Sequence, residues 1–336
     1  MALSPQMKAR LRAAQYNLNT HDGAAPRRGA DIFTGGYPAT WAELVGQHQA
    51  VARLQAAIAS AQAENRRLDH VLLASGLPGV GKTTLARLIA GSMGVGFCEV
   101  SGPVSVDEAR RVLRGMEDRD VLFWDECHQA VQGGKGKAEW ALHLLQDGRL
   151  LTAAGVEQVA DITVVMATTD AQRLPLTVLS RLPIKPVITA PSEGEAIDLV
   201  CALAGRMGIT IPDEVVTAVA VASNGSPRDM SALLIAARDG HAVDGRWDLN
   251  RMLGWCGVTA DGLNQLAQEY LMVLLIQCNG MAGQTTIASA LSEPGPLHHT
   301  EQLLTNKGLI EITPQGRRMT TAGAERTMAL LDVDAA

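Results

Sequence analysis

Gly76-Leu77-Pro78-Gly79-Val80-Gly81-Lys82-Thr83 has the spacing G-x-x-x-x-G-K-[ST], a glycine turn whose backbone N–H groups can close around phosphate oxygens. The residues before it, Val71-Leu72-Leu73-Ala74, read as a short buried strand. Those from Thr84 to Ala90 read as the start of a helix, with Leu85, Leu88 and Ile89 at helical spacing. Strand, glycine turn and helix start are the context this loop needs. Glycine permits the tight turn, and a helix amino end favours an anion. The candidate nucleotide contacts are therefore Gly76, Pro78, Gly79, Val80, Gly81, Lys82, Thr83 and Thr84. In such a loop Lys82 reaches the β- and γ-phosphates of ATP, and the Thr83 hydroxyl ligates Mg²⁺. A glycine-rich turn that binds nothing would not need every position of the pattern filled.

About forty residues further on, Val121-Leu122-Phe123-Trp124-Asp125-Glu126 is an apolar run that ends in two acids. A P-loop ATPase places such a pair beside its nucleotide. Asp125 would hold Mg²⁺ through water, and Glu126 would orient and polarise the attacking water. Many buried strands end in an acid, so the run gains its meaning from the phosphate loop that precedes it. Cys127 and His128 have no further ligands at zinc spacing, and local packing and hydrogen bonding are expected of them. A third apolar run, Ile162-Thr163-Val164-Val165-Met166-Ala167, ends at Thr168-Thr169. A polar side chain there would lie between the other two strands and could reach the γ-phosphate or the attacking water. Ile184 to Ile188 reads as the next strand. Strands alternating with helices predict an α/β fold, a parallel sheet with helices on both faces and its ligand at the carboxyl ends of the strands.

The 336 residues suit two or three domains. A hydrophobic content of 47% with mean hydropathy near zero fits a globular chain, and no apolar run approaches the roughly 20 residues of a membrane span. The amino-terminal stretch is basic and lacks an apolar signal core, which predicts a cytoplasmic location. Five scattered cysteines argue against a disulfide framework or a zinc site. A net charge of −6 makes no global case for nucleic acid, so any DNA contact must come from local patches.

Residues 1–36 mix Lys8, Arg10, Arg12, Arg27 and Arg28 with Gly, Ala and Pro. They read as a mobile arm, either a phosphate-binding tail or a solvated terminus. From Trp41 to Ala63 a helical pattern is interrupted at Val45-Gly46-Gln47. Pro191 begins an Ala- and Leu-rich helical region broken at 208–212 and 223–228. Arg228 follows Pro227 near a helix start, where a cation opposes the helix dipole unless an anion faces it. The last stretch reads as three helices over 261–278, 284–291 and 297–307. Two short strands then flank Pro314-Gln315-Gly316, which makes a winged helix. Acids outnumber bases there, which argues against sequence-specific groove binding. Arg317 and Arg318 are the candidate contacts to a DNA backbone, and a protein-interaction role is the other reading.

In this order the motifs resemble those of RuvB, the AAA+ motor family of Holliday-junction branch migration, over about residues 38–331. The resemblance rests on Leu68-Asp69-His70-Val71-Leu72-Leu73 before the loop, Met93-Gly94-Val95, Ser101-Gly102-Pro103-Val104, Asp120-Val121-Leu122-Phe123 and Asp125-Glu126-Cys127-His128. It extends to Ala167-Thr168-Thr169, Ser180-Arg181, Gly225-Ser226-Pro227-Arg228 and Thr313-Pro314-Gln315-Gly316-Arg317. It implies Thr169 as sensor 1, Arg181 as an arginine finger for the neighbouring subunit's ATP, and Arg228 as sensor 2. Tyr37 and Val45 are implied nucleotide contacts, and the catalytic set is Lys82, Asp125, Glu126, Thr169 and Arg181. The implied domains are a basic arm (1–36), an AAA+ ATPase domain (37–190), a helical lid (191–257) and a DNA-binding winged helix (258–336).

The resemblance also implies ATP and Mg²⁺ as cofactors, a hexameric homo-oligomer, duplex DNA at Holliday junctions and a RuvA-like partner. Four departures stand out. The segment from Arg149 to Ala160 is shorter than the hairpin with which the family engages RuvA, and Gln315 replaces a basic wing residue. Asp170 follows sensor 1 where the family has arginine, and Gly133-Gly134-Lys135-Gly136 is unusually glycine-rich. These leave a second reading open, a clamp-loader-like or switch AAA+ ATPase that assembles partners on DNA without translocating. A degenerate, non-enzymatic module is disfavoured by the complete catalytic set.

Overall fold

The computed structural model describes residues 26–33, 37–77, 79–131, 139–152, 155–291 and 297–334. Pro78 and the 133–136 glycine run lie outside them. The chain forms two compact units that divide between Glu195 and Ala196.

The first unit contains β1 (Val71–Ala74), β2 (Phe97–Ser101), β3 (Val121–Asp125), the antiparallel hairpin of β4 (Arg149–Thr152) and β5 (Gly155–Gln158), and β6 (Thr163–Thr168). Strands β1, β6, β3 and β2 pair in that order, all in parallel. Along β3, Val121 and Phe123 enter one apolar layer and Leu122 and Trp124 the other. In β6, Val165 and Ala167 alternate with Val164 and Met166 in the same way. Both faces of each strand are thus buried, which is why these runs are continuously apolar. Helices α1 (His48–Ala63) and α2 (Lys82–Met93) cover the first layer through Leu54, Ile58, Leu85 and Ile89. Helices α3 (Val106–Leu113) and α4 (Glu139–Asp147) cover the second through Leu113, Trp140 and Leu144. Trp124 and Trp140 stack with centroids 4.9 Å apart, and the Trp124 indole N–H donates to Gly102 O.

Two expectations are corrected in this unit. The strand expected over 184–188 is a single parallel bridge between Ile184 and Val71. Pro183 and Pro186 lack the N–H donors that would extend the ladder. The basic arm is also not free over its last residues. Arg27 bridges Phe97, Ile32 is buried, and Arg28 Nη2 lies 2.9 Å from Asp120 and 3.1 Å from Glu117. Asp120 is fully buried and already accepts the Gly96 and Glu117 N–H groups, so its charge needs the guanidinium that Arg28 brings. Lys8, Arg10 and Arg12 lie outside the described residues.

The second unit is helical at first. Helices α5 (Glu193–Arg206, starting just before the boundary), α6 (Asp213–Ala222), α7 (Pro227–Asp244) and α8 (Leu249–Cys256) share one apolar core. A separate core joins α9 (Gln265–Met272), α10 (Gln284–Ala290), α11 (His298–Asn306) and α12 (Thr321–Asp334). Between these helices, β7 (Met281–Ala282), β8 (Ile310–Thr313) and β9 (Gly316–Met319) form an antiparallel sheet in the order β7-β9-β8. The sequence pattern led to two wing strands, and the short β7 and the closing helix α12 are additions. Gly316, at φ 137°, starts β9 so close to β7 that a Cβ would sit 2.5 Å from Ala282 O.

The wing changes the reading of Arg317. Its guanidinium makes two hydrogen bonds of 2.8 Å to the carboxylate of Glu301, a residue of α11 that is 1% exposed. The Tyr270 hydroxyl also donates to Glu301, at 3.2 Å. Arg317 thereby neutralises a buried carboxylate, so a phosphate would have to compete with Glu301 for it. Breaking a buried pair by deleting one partner is strongly destabilising. Glu301→Ala should lower the stability of the second unit by about 3 kcal/mol, read as an earlier urea transition. An unchanged transition would mean that Arg317 can leave Glu301 without cost.

Candidate nucleotide-binding site

Strand β1 ends at Ala74, and Ser75 N–H donates to Thr168 O at 3.2 Å, so the glycine loop starts beside the end of β6. Gly79 (φ 74°) and Gly81 (φ 90°) are both left-handed, and nothing lies within 4 Å of a Cβ placed on Gly81. That open side of the loop is where a phosphate group would fit. Gly81 is the N-cap of α2 and has no side chain with which to cap it, so the first-turn N–H groups are available to an anion. Lys82 is 7% exposed, and its Nζ lies 3.4 Å from Leu77 O, folded back over the loop. Gly76 is exposed, Val80 is buried, and Thr83 and Thr84 are half-buried in the first helical turn.

Asp125 ends β3, and its Oδ1 accepts the Glu126 N–H at 2.9 Å. Burial pushes its carboxyl above the usual range and nearby Glu126 adds to this, against the Glu126 N–H and the Lys82 charge, which pull it down. A carboxylate short of positive charge, near the hydroxyl-bearing first turn of α2, suits a divalent cation. Among the described residues no three His, Cys, Asp or Glu side chains cluster to hold a metal by themselves. Mg²⁺ is commonly bound through one or two carboxylates together with substrate phosphates. Thr83 and Asp125 are the residues that would hold it.

Glu126 has φ 47°, a conformation that costs a non-glycine residue about 1–2 kcal/mol. The turn lets Cys127 N–H donate to Ala167 O at 3.1 Å and brings Glu126 to the end of β6. There Thr169 Oγ1 donates to Glu126 Oε2 at 3.1 Å. The strand order puts β6 between β1 and β3, so Thr169 lies between the loop and the acids, as the apolar pattern led one to expect. Asp170 forms an ion pair with Arg173 at 2.5 Å. Cys127 is fully buried in the core, and burial pushes its thiol up, which makes it inert.

The other expected residues divide. The Tyr37 ring lies 4.3 Å from the buried guanidinium of Arg87 on α2. Val45 is half-buried in the turn before α1, and the neighbouring Gln47 donates to Thr189 O at 2.7 Å. Arg181 is bound to Thr177 O and Gln146 Oε1 after a single helical turn, Leu176–Leu179. Arg228 belongs to the second unit, where it is exposed in the first turn of α7. Arg318 is exposed on β9 and pairs with Glu311 at 2.5 Å. Two residues beside the site, noted in the sequence without a catalytic role, come together here. Thr168 and His128 meet at 2.9 Å, and His128 Nδ1 is 3.2 Å from Glu126 Oε2. Their shared position at strand ends, just after Asp125-Glu126 and just before Thr169, was the available signal.

A family model described as the Holliday junction DNA helicase RuvB P-loop domain matches residues 37–186. Among solved structures, the Thermotoga maritima RuvB Holliday junction branch migration motor is 26% identical, covering 87% of this chain and 97% of its own, with a TM-score of 0.77. Two point variants of that T. maritima protein match at 26% identity as well. One covers 87% and 97% with a TM-score of 0.78, the other 86% and 98% with 0.77. The glycine loop, the acidic strand and the parallel sheet all fall inside the matched P-loop region, and the structural likeness continues through the second unit. Residues 37–186 are thus a RuvB-type P-loop domain, and over most of its length the chain is similar in structure to the RuvB branch migration motor.

Proposed function

We propose that this chain is a homo-oligomeric ATPase, working as a hexameric ring, that drives branch migration of Holliday junctions by translocating duplex DNA. The observation that carries the ATPase half is the Thr169–Glu126 hydrogen bond at 3.1 Å. It joins the candidate sensor to the candidate water-orienting acid, on strands β6 and β3 that adjoin the phosphate loop. Lys82 and the α2 amino end would neutralise the β- and γ-phosphates, and Glu126 would orient and polarise the attacking water. Mg²⁺ held by Thr83 and Asp125 would add charge neutralisation at those phosphates. Thr169 would keep Glu126 aligned. Arg181 would come from the adjacent subunit, and Arg228 would report the γ-phosphate to the second unit.

The two separate cores of the second unit support dividing it into a lid over 191–257 and a winged helix over 258–336. For DNA the support is the likeness to the T. maritima motor and the exposed Arg318. A RuvA-like partner would meet the hairpin of β4 and β5, where Val156 is 60% exposed. The loader-like reading draws on the engagement of Arg317 with Glu301, which leaves Arg318 as the more accessible wing arginine for a phosphate. No described helix is long and apolar enough to cross a membrane.

Hydrolysis-dependent strand exchange of a synthetic four-way junction, with and without a RuvA-like protein, separates the readings. A motor resolves the junction with ATP and not with a non-hydrolysable analogue; a loader binds it and leaves it intact. Glu126→Gln should bind ATP while turnover falls by about 10²–10⁴, and normal steady-state turnover would remove Glu126 from the chemistry. Arg181→Ala should lower turnover by about 10³–10⁵ with ATP binding kept. Mixed with Lys82→Ala, which cannot grip phosphate, it should regain activity, because each variant supplies what the other lacks. Hydrolysis at the wild-type rate by Arg181→Ala alone would defeat the shared site.

A further inference from the structure

The Glu126 carboxylate is held from two sides, and only one of them is the sensor threonine. His128 Nδ1 lies 3.2 Å from Glu126 Oε2, the same oxygen that accepts from Thr169, and 2.9 Å from Thr168 Oγ1. His128 is 8% exposed and opens the single helical turn His128–Val131, so its ring has little room to swing. Thr168 is fully buried, and its Oγ1 accepts the Asp170 N–H at 2.9 Å, which fixes the hydroxyl that faces the ring. A bare Nδ1 would turn a lone pair against the carboxylate. With the hydrogen on Nδ1 the ring attracts the carboxylate, and the Thr168 hydroxyl beside it can brace that orientation.

We propose that His128 is a positioning residue for ATP hydrolysis: its Nδ1–H, braced by Thr168, pins Glu126 Oε2 and so leaves Oε1 to orient the attacking water. This rests on the reading of Glu126 given above. Among the described residues Oε1 accepts no hydrogen bond, whereas Oε2 accepts from Thr169 and lies 3.2 Å from His128 Nδ1. Without His128 the carboxylate would keep only the Thr169 hydroxyl and could rotate on a backbone that is already strained. Misplacement of a reacting group by about 1 Å can cost 10² in rate. The nucleotide contacts are untouched by this change, so the loss belongs in kcat.

The test compares His128→Leu, His128→Asn and Thr168→Val in the full-length protein, with thermal unfolding as the check on folding. An Asn amide nitrogen can occupy the place of Nδ1, while Leu fills space and donates nothing. His128→Leu should lower kcat by about ten- to a hundredfold, with the KM and binding constant for ATP unchanged. His128→Asn should restore kcat to within about threefold of wild type, since the donor is kept. Thr168→Val should fall between them. In a Glu126→Gln background, His128→Leu should have no further effect, since there is no carboxylate left to align. Wild-type kcat in a folded His128→Leu protein overturns the inference, as does an effect confined to KM or an Asn variant as slow as the Leu variant. Should His128→Leu fail to fold, wild-type kcat in Thr168→Val together with a slow His128→Asn overturns it equally. Normal hydrolysis by Glu126→Gln would sink the reading of Glu126 itself, a failure distinct from an inactive Glu126→Gln beside a fully active His128→Leu.

Discussion

The first unit depends on a parallel sheet that is buried on both faces. Strands β3 and β6 alternate their side chains into two apolar layers, so neither face can carry a charge without desolvating it. The polar groups these strands carry must therefore emerge where the strands stop. Asp125-Glu126 and Thr168-Thr169 do so at neighbouring carboxyl ends, and the glycine loop leaves β1 at the same edge. One packing constraint thus assembles a site from three segments that are far apart in the chain.

Collecting two acids at that edge has a cost that the local structure distributes. Asp125 is pushed up by burial and by Glu126, and Lys82 only partly opposes this. Glu126 accepts a left-handed backbone, and in that conformation it meets Thr169 and His128. The charge still lacking is of the kind a divalent cation supplies, while the phosphates would be met by the uncapped α2 amino end. The site is arranged around groups it expects to bind, with its acid held in advance by side chains.

In the second unit the same physics acts on a smaller core. Glu301 is buried on α11 and would be expensive alone, and Arg317 answers it from β9 with both arms of its guanidinium. The pair ties the wing to the helix behind it. It also turns the most suggestive basic residue of the wing toward the helix behind it, whereas Arg318 stays exposed with a partner, Glu311, that is itself exposed and easily exchanged.

Much of this was legible in the residues. The helical spacing after the glycine loop, the apolar runs that end in Asp125-Glu126 and Thr168-Thr169, and their order along the chain predict the α/β sheet and place the nucleotide at its carboxyl edge. These signals are local: periodicity, glycine and terminal acids act within a few residues of themselves. By itself the sequence determined the fold class, the phosphate loop and the identity of the residues around it. Only the tertiary structure decided that Arg28 belongs to Asp120, that Arg317 belongs to Glu301 and that His128 shares an oxygen with Thr169. Each of those pairings joins groups from separate elements, and a buried charge takes whichever donor the packing brings to it, which no spacing along the chain records.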